Sequence, residues 1–295
     1  MLDYVQKVIR SEGDDYHYSV VIPSWNNLPY LQLCLKSLRA NSSFRHQIIV
    51  TVNEGTDGTL AWVQSQSDID YVYSPKNLGI CYGLNIARTL VKSRYLVYIN
   101  DDMYMLPHWD IDIDREIKQI GHDSFLLSCT MIEPHFTNNP CVIVKNFGDS
   151  YHTFDEAGLL ADYQSLHQGD WNGSTWPPQI LPVDLWDLVG GLSVEYSPGL
   201  SSEIDFAMKL WQAGVRAFKG VGSSKVYHFG SKTTQRFRKD QSTEIFLRKW
   251  GILPRFFVEA YLRRGTPING QLQEPRISPQ HQWRNKIRII TRTLR

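Results

Sequence analysis

Two adjacent carboxylates, Asp101 and Asp102, follow Asn100 directly after a short apolar run at residues 95–99. A run of aromatic and β-branched residues of this length predicts a buried strand, which places the carboxylates at its carboxyl end. Carboxylates are costly to hold close together unless a positive group joins them, and a divalent metal with a bound diphosphate can do so. Because Asn and Asp are also common turn residues, a plain turn is the alternative interpretation.

The elements that must position this motif alternate between strand-like and helix-like segments from Tyr18 onward. Strands separated by helices predict an α/β fold with a mostly parallel sheet, flanked by helices, and right-handed connections. Ligands of such sheets bind beyond the carboxyl ends of the strands. Four polar loops should therefore meet at one edge, although loops of this kind are commonly polar in any case. The predicted strands are 19–23, 48–52, 71–73 and 95–99, and the loops are 24–26, 53–58, 76–79 and 100–102.

The second half of the chain is less regular. Residues 131–180 are rich in Asn, Pro, Gly and Trp, which is typical of long functional loops. Beyond residue 230 the composition becomes basic and helical. The helices predicted in this half are 109–120, 182–190 and 201–214, and the predicted strands are 124–130, 215–219 and 225–228.

The composition sets limits on the class of protein. The chain has 295 residues, of which 42% are hydrophobic and 21% charged, so it can bury a sizeable core. A net charge of +1 argues against a nucleic-acid partner. The four cysteines lack CxxC spacing and indicate reduced, buried thiols of a cytosolic protein: Cys34, Cys81, Cys129 and Cys141. Because residues 1–4 lack a signal-peptide pattern and no apolar run approaches ~18 residues, we expect neither secretion nor membrane insertion.

Five segments, in their order and spacing, resemble the family 2 glycosyltransferases of the GT-A fold. The resemblance covers about residues 18–231 and implies an inverting, metal-dependent enzyme that uses a nucleotide-sugar donor. The five segments are 19–27, 49–59, 77–85, 98–102 and 189–205.

The resemblance also assigns the expected donor site. Nucleotide-binding positions fall on the first four loops, and Asn53 stands where the family usually has an acid, with Glu54 next to it. Asn100 or Asp101 would hydrogen-bond the ribose or a metal-bound water. The nucleotide-binding residues implied in this way are Pro23, Ser24, Asn26, Asn53, Glu54, Asn77, Gly79, Asn100 and Asp101.

The metal is expected to be Mn²⁺ or Mg²⁺, held directly by Asp102. The resemblance implies a second contact from His228, and an imidazole ligand favours Mn²⁺ weakly. Without the resemblance, His228 would read as an ordinary hydrogen-bonded histidine at a strand end.

The general base implied by the resemblance is Glu203, with Asp205 as the second candidate. A base here would deprotonate the acceptor hydroxyl, and attack from the face opposite the diphosphate inverts the anomeric carbon. The alternative is a helix capping box formed by Ser202 and Asp205, which would explain Asp205 without catalysis.

Two further features concern the acceptor. Trp171 and Trp176 lie in a glycine-containing segment whose aromatic faces suit sugar rings, whereas Trp186 reads as core. Residues 275–295 contain six Lys or Arg and no acid. One helical face there carries Trp283, Ile287, Ile290 and Leu294, beside Arg284, Arg288 and Arg295. Residues 281–295 therefore predict either a helix on an anionic membrane surface or one docked on its own domain.

We therefore expect a glycosyltransferase that moves a sugar to a hydroxyl of a glycan or lipid-linked acceptor, in polysaccharide assembly. It would be cytoplasmic and peripheral on the inner membrane face. The expected division is a lead segment 1–17, a transferase domain 18–231 and a basic extension 232–295, the domain splitting into a nucleotide half 18–102 and an acceptor half 103–231. A sugar nucleotidyltransferase and a non-catalytic carbohydrate-binding protein are the alternatives. The loop 24–27 lacks the Gly-rich, basic character that a nucleotidyltransferase needs.

Overall fold

The secondary structure comes from a computed structural model that describes residues 4–230 and 241–293. Within these residues, eleven strands form one sheet. The strands are β1 (Gln6–Val8), β2 (Ser19–Trp25), β3 (Gln47–Asn53), β4 (Ile69–Ser74), β5 (Tyr95–Tyr98), β6 (Met103–Met105), β7 (Phe125–Glu133), β8 (Val142–Val144), β9 (Trp171–Asn172), β10 (Gln179–Pro182) and β11 (Ala217–His228).

Helices cover both faces of this sheet. Short 3₁₀ or π turns at 88–90, 163–165, 194–196 and 257–261 join or extend some of them. The α-helices are α1 (Leu28–Asn41), α2 (Thr59–Ser65), α3 (Gly79–Ala87), α4 (Trp109–Ile120), α5 (Glu156–Asp162), α6 (Val183–Leu188), α7 (Ser202–Gln212), α8 (Ser242–Trp250), α9 (Pro254–Phe256) and α10 (Pro279–Thr293).

The first half of the sheet is parallel, as the alternation of strands and helices predicts. β2 lies between β3 and β5, β3 pairs with β4, and all three pairings are parallel. Neighbouring residues of a strand face opposite layers: Val21 and Ile49 pack in one core, and Val20 and Ile48 in the other. The strands are buried on both sides, which explains their continuous apolar runs.

The second half of the sheet is mixed. β10 lies antiparallel between β5 and β7, β11 runs parallel to β7, and β6 is antiparallel to β11. The predicted strands 215–219 and 225–228 are one strand, β11, whose pairing with β7 is interrupted between Val221 and Lys225. The segment 131–180, predicted as irregular, contributes β8, β9 and the start of β10. The sheet is therefore mixed as a whole. The sequence did not predict β10, the strand that runs antiparallel to both of its neighbours.

The segment after the predicted domain boundary packs into the core of the sheet domain. Phe246 of α8, with Phe257 and Leu262 just beyond α9, belongs to the same buried cluster as Trp211 of α7. The predicted boundary at 231–232, together with Leu294 and Arg295, lies outside the described residues. No helix in the described part of the chain has the length and apolarity needed to cross a bilayer. All four cysteines are free and buried, as predicted.

Candidate functional site

Three ligand-type side chains meet at the ends of adjacent strands. Glu133 ends β7, His228 ends β11, and Asp102 precedes β6; the pairing of β11 places His228 opposite Met103, next to Asp102. The imidazole lies between the two carboxylates, with 2.7 Å from Nδ1 to Glu133 Oε1 and 3.5 Å from Nε2 to Asp102 Oδ1. All three residues are buried. The structure thus brings the two predicted metal ligands together.

The charges around His228 decide its protonation when no metal is bound. Burial alone would lower its pKa, but the carboxylates of Asp102 and Glu133 outweigh burial and raise the pKa of His228 to about 10. The imidazolium then neutralises part of the negative charge that two buried carboxylates would otherwise carry. A positive group between the two carboxylates therefore stabilises this cluster.

The donor atoms fit a divalent ion. Two ligand atoms about 2.1 Å from one octahedral ion and at a right angle to each other lie about 3 Å apart, close to the separation of Asp102 Oδ1 and His228 Nε2. The Nε2 atom is buried and has no hydrogen-bond partner. Within residues 4–230 and 241–293, no group of three or more His, Cys, Asp or Glu side chains is placed so that it could hold a metal ion by itself. Asp102 and His228 would therefore share the ion with substrate oxygens and water, as is usual for Mg²⁺ beside phosphates.

A cavity of about 350 Å³ opens beside this cluster. Its wall includes the candidate base, the first residue of the acidic motif and one of the predicted acceptor tryptophans. Residues from both halves of the sheet contribute to it, among them Tyr98, Asn100, Glu133, Trp176, Glu203 and His228.

Glu203 lies in the first turn of α7 and faces the cavity. Its Oε2 accepts a hydrogen bond from Ser202 Oγ at 3.2 Å, and its Oε1 lies 3.5 Å from the hydroxyl of Tyr98. Burial raises the pKa of Glu203, and the Ser202 and Tyr98 hydroxyls lower it in part. A carboxylate with a raised pKa at a cavity wall is suited to accept a proton.

Asp205 is placed differently, although it is only two residues away. Its side chain is fully buried and accepts hydrogen bonds from Ser193 Oγ at 2.6 Å, Trp250 Nε1 at 2.7 Å and Lys249 Nζ at 3.1 Å. These partners tie α7 to α8. The geometry gives Asp205 a structural position away from the cavity.

The first and second loops are joined through Glu54. Its Oε2 accepts hydrogen bonds from Trp25 Nε1 at 2.8 Å and Asn26 Nδ2 at 3.1 Å, while Asn26 Oδ1 accepts from the backbone N–H of Thr56 at 2.8 Å. Asn26 and Glu54 both adopt positive φ. These two predicted nucleotide-binding residues shape one loop surface, outside the residues that line the described cavity.

The second and third loops are joined through Asn53. Its Oδ1 accepts from the backbone N–H of Leu78 at 2.9 Å, and Asn77 Oδ1 accepts from that of Gly79 at 2.8 Å. Gly79 has φ +73°, and an added Cβ would lie 2.7 Å from Pro198 Cα. Only glycine fits there, because the loop approaches the segment before α7 so closely.

The remaining predicted positions lie within β2 or just after β5. Asn27 Nδ2 donates to Asp101 Oδ1 at 3.0 Å, which fixes the middle residue of the acidic motif. Pro23 and Ser24 lie in β2 and are buried. Asn100 faces the cavity, and its Oδ1 accepts from the Tyr98 hydroxyl at 3.0 Å. The four loops therefore converge as predicted, with Asn100 nearest the cavity.

The tryptophans divide between core and cavity. Trp171 is 1% exposed, donates from Nε1 to Thr130 Oγ1 at 3.0 Å and packs against Gly220, so the prediction that it contacts an acceptor is corrected. The ring of Trp176 stacks on it at a centroid distance of 5.0 Å and reaches the cavity wall. Trp186 is core, as predicted.

Sequence reasoning missed two residues of the site, Glu133 and Tyr98. Glu133 follows the apolar strand-like segment 124–130, so a carboxylate at a strand end was the available signal. Tyr98 was read only as a strand residue, because nothing local indicates that its hydroxyl reaches α7.

Comparisons with known proteins agree with this geometry. Residues 19–160 match the family model described as Glycosyl transferase family 2. Among solved structures, the chain is similar to S. aureus TarS 1–349 in complex with UDP-GlcNAc, with 13% identity, TM-score 0.58, and coverage of 94% of this chain and 72% of that chain. It is similar to GalNAc-T7 with UDP, GalNAc and Mn²⁺, with 12% identity, TM-score 0.58, and coverage of 83% and 50%. It is also similar to the mannosyltransferase PcManGT from Pyrobaculum calidifontis in complex with GDP-Man and Mn²⁺, with 18% identity, TM-score 0.55, and coverage of 84% and 69%.

These structural similarities, at such low identity, show the fold. Against another structure of S. aureus TarS 1–349 the chain spans 60% of that chain's length. No curated protein sequence matches this chain significantly. The family match includes the acidic motif and the first four loops, while Glu203 and His228 lie beyond it. Residues 19–160, slightly less than half of the chain, are therefore similar to glycosyl transferase family 2, and the solved structures share the fold of most of the chain.

Proposed function

We propose that this protein is a glycosyltransferase that moves a sugar from a nucleotide-diphosphate donor to an acceptor hydroxyl with inversion, using a divalent metal. The observation that carries the proposal is one cavity lined by both Glu203 and His228, with Asp102 Oδ1 3.5 Å from the imidazole of His228. A carboxylate base and a metal-binding pair facing one cavity suit direct displacement of a diphosphate.

In the proposed reaction, Asp102 and His228 would hold the metal, and Asn100 or Asp101 would hydrogen-bond the ribose or a water on the metal. When bound, the metal neutralises the negative charge that develops on the departing diphosphate. Glu203 accepts the proton of the acceptor hydroxyl as its oxygen bonds to the anomeric carbon. The bond from that carbon to the diphosphate breaks on the opposite face, and the diphosphate leaves with the electron pair.

The nucleotide would lie on the loops joined by Asn53 and Glu54. We assign it the loop residues Pro23, Ser24, Asn26, Asn77 and Gly79 with this pair. The solved relatives named above hold UDP-GlcNAc, UDP with GalNAc, and GDP-Man, which supports a nucleoside-diphosphate sugar as the donor class. We propose 18–102 as the donor half and 103–231 as the acceptor half. Both halves contribute to the cavity wall.

The acceptor would meet the ring of Trp176. Its half-buried indole faces the cavity, and an aromatic face suits the apolar face of a sugar ring. We propose a glycan or lipid-linked acceptor, in the setting of polysaccharide assembly.

Helix α10 supports a membrane-side location for this reaction. Its Asn285 is buried, whereas Trp283, Ile287 and Ile290 are 67%, 37% and 59% exposed. One face of the helix is therefore packed while an apolar stripe remains exposed, flanked by exposed Arg284, Lys286 and Arg288. An apolar stripe between cations suits an anionic bilayer surface, and we propose peripheral binding on the cytoplasmic side of the inner membrane.

Thermal unfolding with UDP, GDP, dTDP and CDP, each with and without Mn²⁺, tests the proposal. A ligand at ~100-fold its Kd adds about 2.7 kcal/mol to the free energy of unfolding. We expect one nucleotide to stabilise the wild type only with Mn²⁺, and Asp102→Asn to abolish that shift. Asp68→Asn, at an exposed position, is the matched control and should keep it. A folded wild type that none of the four pairs stabilises would contradict the proposed site.

A further inference from the structure

The carboxylate of Glu133 is the nearest partner of the candidate metal-binding histidine on the side away from Asp102. Glu133 Oε1 lies 2.7 Å from His228 Nδ1, and both side chains are buried. The two residues end β7 and β11, which pair in parallel with Tyr227 opposite Ile132. The backbone of two long buried strands therefore fixes this contact.

A neutral imidazole, the form that can bind a metal ion, has a single N–H, and the contact with Glu133 favours placing it on Nδ1. An ionised carboxylate only accepts hydrogen bonds, so Nδ1 then donates its N–H to Glu133. In a neutral imidazole the lone pair is then on Nε2, which points toward Asp102. A histidine ligand needs this arrangement, and partners of this kind fix the ring orientation and raise the basicity of the metal-binding nitrogen.

Other contacts of Glu133 do not explain a buried carboxylate at this position. Thr137 Oγ1 lies 3.4 Å from Oε2, and the backbone carbonyl accepts from the N–H of Lys145 at 3.0 Å. The first contact is long, and the second would be made by any residue. A glutamine could accept the hydrogen bond from Thr137 equally well, so this contact does not require a charge. The contact that a negative charge strengthens is the one with His228.

We propose that Glu133 is a positioning residue that sets the tautomer and orientation of His228 for metal binding in the transferase site. This inference rests on the proposed function, because it assumes that Asp102 and His228 hold the metal.

The test measures Mn²⁺ affinity from the electron paramagnetic resonance signal of free Mn²⁺, with UDP present and with GDP in a parallel series. The variants are Glu133→Ala, Glu133→Gln, His228→Ala and Asp102→Asn. We expect Glu133→Ala to weaken Mn²⁺ binding by about 10–100-fold. Glu133→Gln keeps an acceptor oxygen and should recover part of this loss. Glu116→Gln is the matched control, since Glu116 is also buried but pairs with Lys219.

A second measurement separates positioning from a general effect on folding. Histidine-selective ¹⁵N spectra with Mg²⁺ and nucleotide should show His228 protonated at Nδ1 in the wild type and in Glu116→Gln. Glu133→Ala should lose this signature.

The outcomes distinguish the role of Glu133 from the existence of the metal site itself. Wild-type Mn²⁺ affinity in Glu133→Ala, with a loss in His228→Ala, overturns the role of Glu133 and leaves the metal site standing. Wild-type affinity in both Asp102→Asn and His228→Ala overturns the proposed metal site, and the role of Glu133 falls with it.

Discussion

Glu203 and Asp205 lie two residues apart on α7, yet their carboxylates face different surroundings. Glu203 lines the cavity, whereas Asp205 is fully buried among Ser193, Lys249 and Trp250. This separation follows from helical geometry, since residues at i and i+2 do not share a face. It distinguishes the two candidate bases that the sequence leaves open.

The two carboxylates should respond in opposite ways to the same substitution. We expect Glu203→Gln to lower kcat by ~10²–10⁴-fold, because it removes the base. It should not lower stability at neutral pH, since burial disfavours the ionised form that it replaces. Steady-state kinetics and chemical denaturation measure the two effects.

Asp205→Asn should instead lower the free energy of unfolding by about 1–3 kcal/mol, because the amide has one acceptor oxygen for the donors of Ser193, Lys249 and Trp250. Lys249 keeps its ion pair with Glu195 at 2.8 Å. Its kcat per folded molecule should stay near the wild-type value. A variant at this position that folds stably but is inactive would reverse the assignment.

The pH dependence of the rate should follow Glu203. Its pKa is raised above the ordinary value of 4.5 by burial. Because the base must be ionised, kcat/KM should rise with pH through a midpoint above 4.5. The raised pKa also means that the contribution of Glu203 to stability is present at low pH and lost as pH rises through the folded-state pKa.

Tyr98→Phe should move this midpoint further upward. The substitution removes the hydroxyl that lies 3.5 Å from Glu203 Oε1 and lowers the pKa of this carboxyl. A pH–rate series on wild type and variant measures the displacement. An unchanged midpoint would show that the hydroxyl serves only Asn100.

Gly79→Ala should weaken both the fold and the donor site. The left-handed backbone costs a non-glycine residue about 1–2 kcal/mol, and the new Cβ would lie 2.7 Å from Pro198 Cα. We expect destabilisation by more than that amount, together with weaker nucleotide binding, measured by denaturation and calorimetry. Gly121→Ala is the control, because it has a similar φ of +67° and no atom within 4 Å of the added Cβ.

The exposed stripe of α10 should drive binding to anionic vesicles. Trp283→Ala with Ile290→Ser should reduce cosedimentation with phosphatidylserine vesicles, and wild-type binding should fall with salt and on neutral vesicles. Leu188→Ser is the apolar control, since Leu188 is also exposed but lies on α6. Equal binding by the double variant would indicate that the stripe faces another partner.

Local sequence patterns were sufficient to predict the first half of the sheet and part of the candidate site. The apolar runs of β2, β3 and β5 and the helix α4 lie where periodicity predicts them. Buried parallel strands and amphipathic helices each have a characteristic local pattern of apolar residues, so their sequence alone indicates how they are buried. The meeting of Asp102 with His228 was predicted through the family resemblance. Spacing along the chain could not predict this contact, since the two residues lie 126 positions apart in the sequence.

The second half of the sheet was harder to predict, because contacts between segments that are distant in the sequence determine its structure. β10 has only four residues, ends at Pro182 and follows Pro178 directly, and nothing in the local sequence indicates that it pairs on both sides. Trp171 reads like a sugar-binding residue, but the absence of a side chain at Gly220 lets its ring pack into the core. The role proposed for Glu133 depends on its contact with His228, which forms only because β11 pairs with β7.

The direction of β10 has a consequence for how new specificities arise in this scaffold. Since β10 runs opposite to β5 and β7, the chain enters the sheet at the edge where those strands end. The residues immediately before it, including Trp176 and Pro177, are thereby delivered to the cavity, while those after it lie at the far end. If the proposed acceptor contact at Trp176 holds, substitution or lengthening of this entry segment would alter the acceptor side of the cavity while β2, β3 and β5 keep their places. The reversed strand would then let acceptor choice change separately from the rest of the sheet.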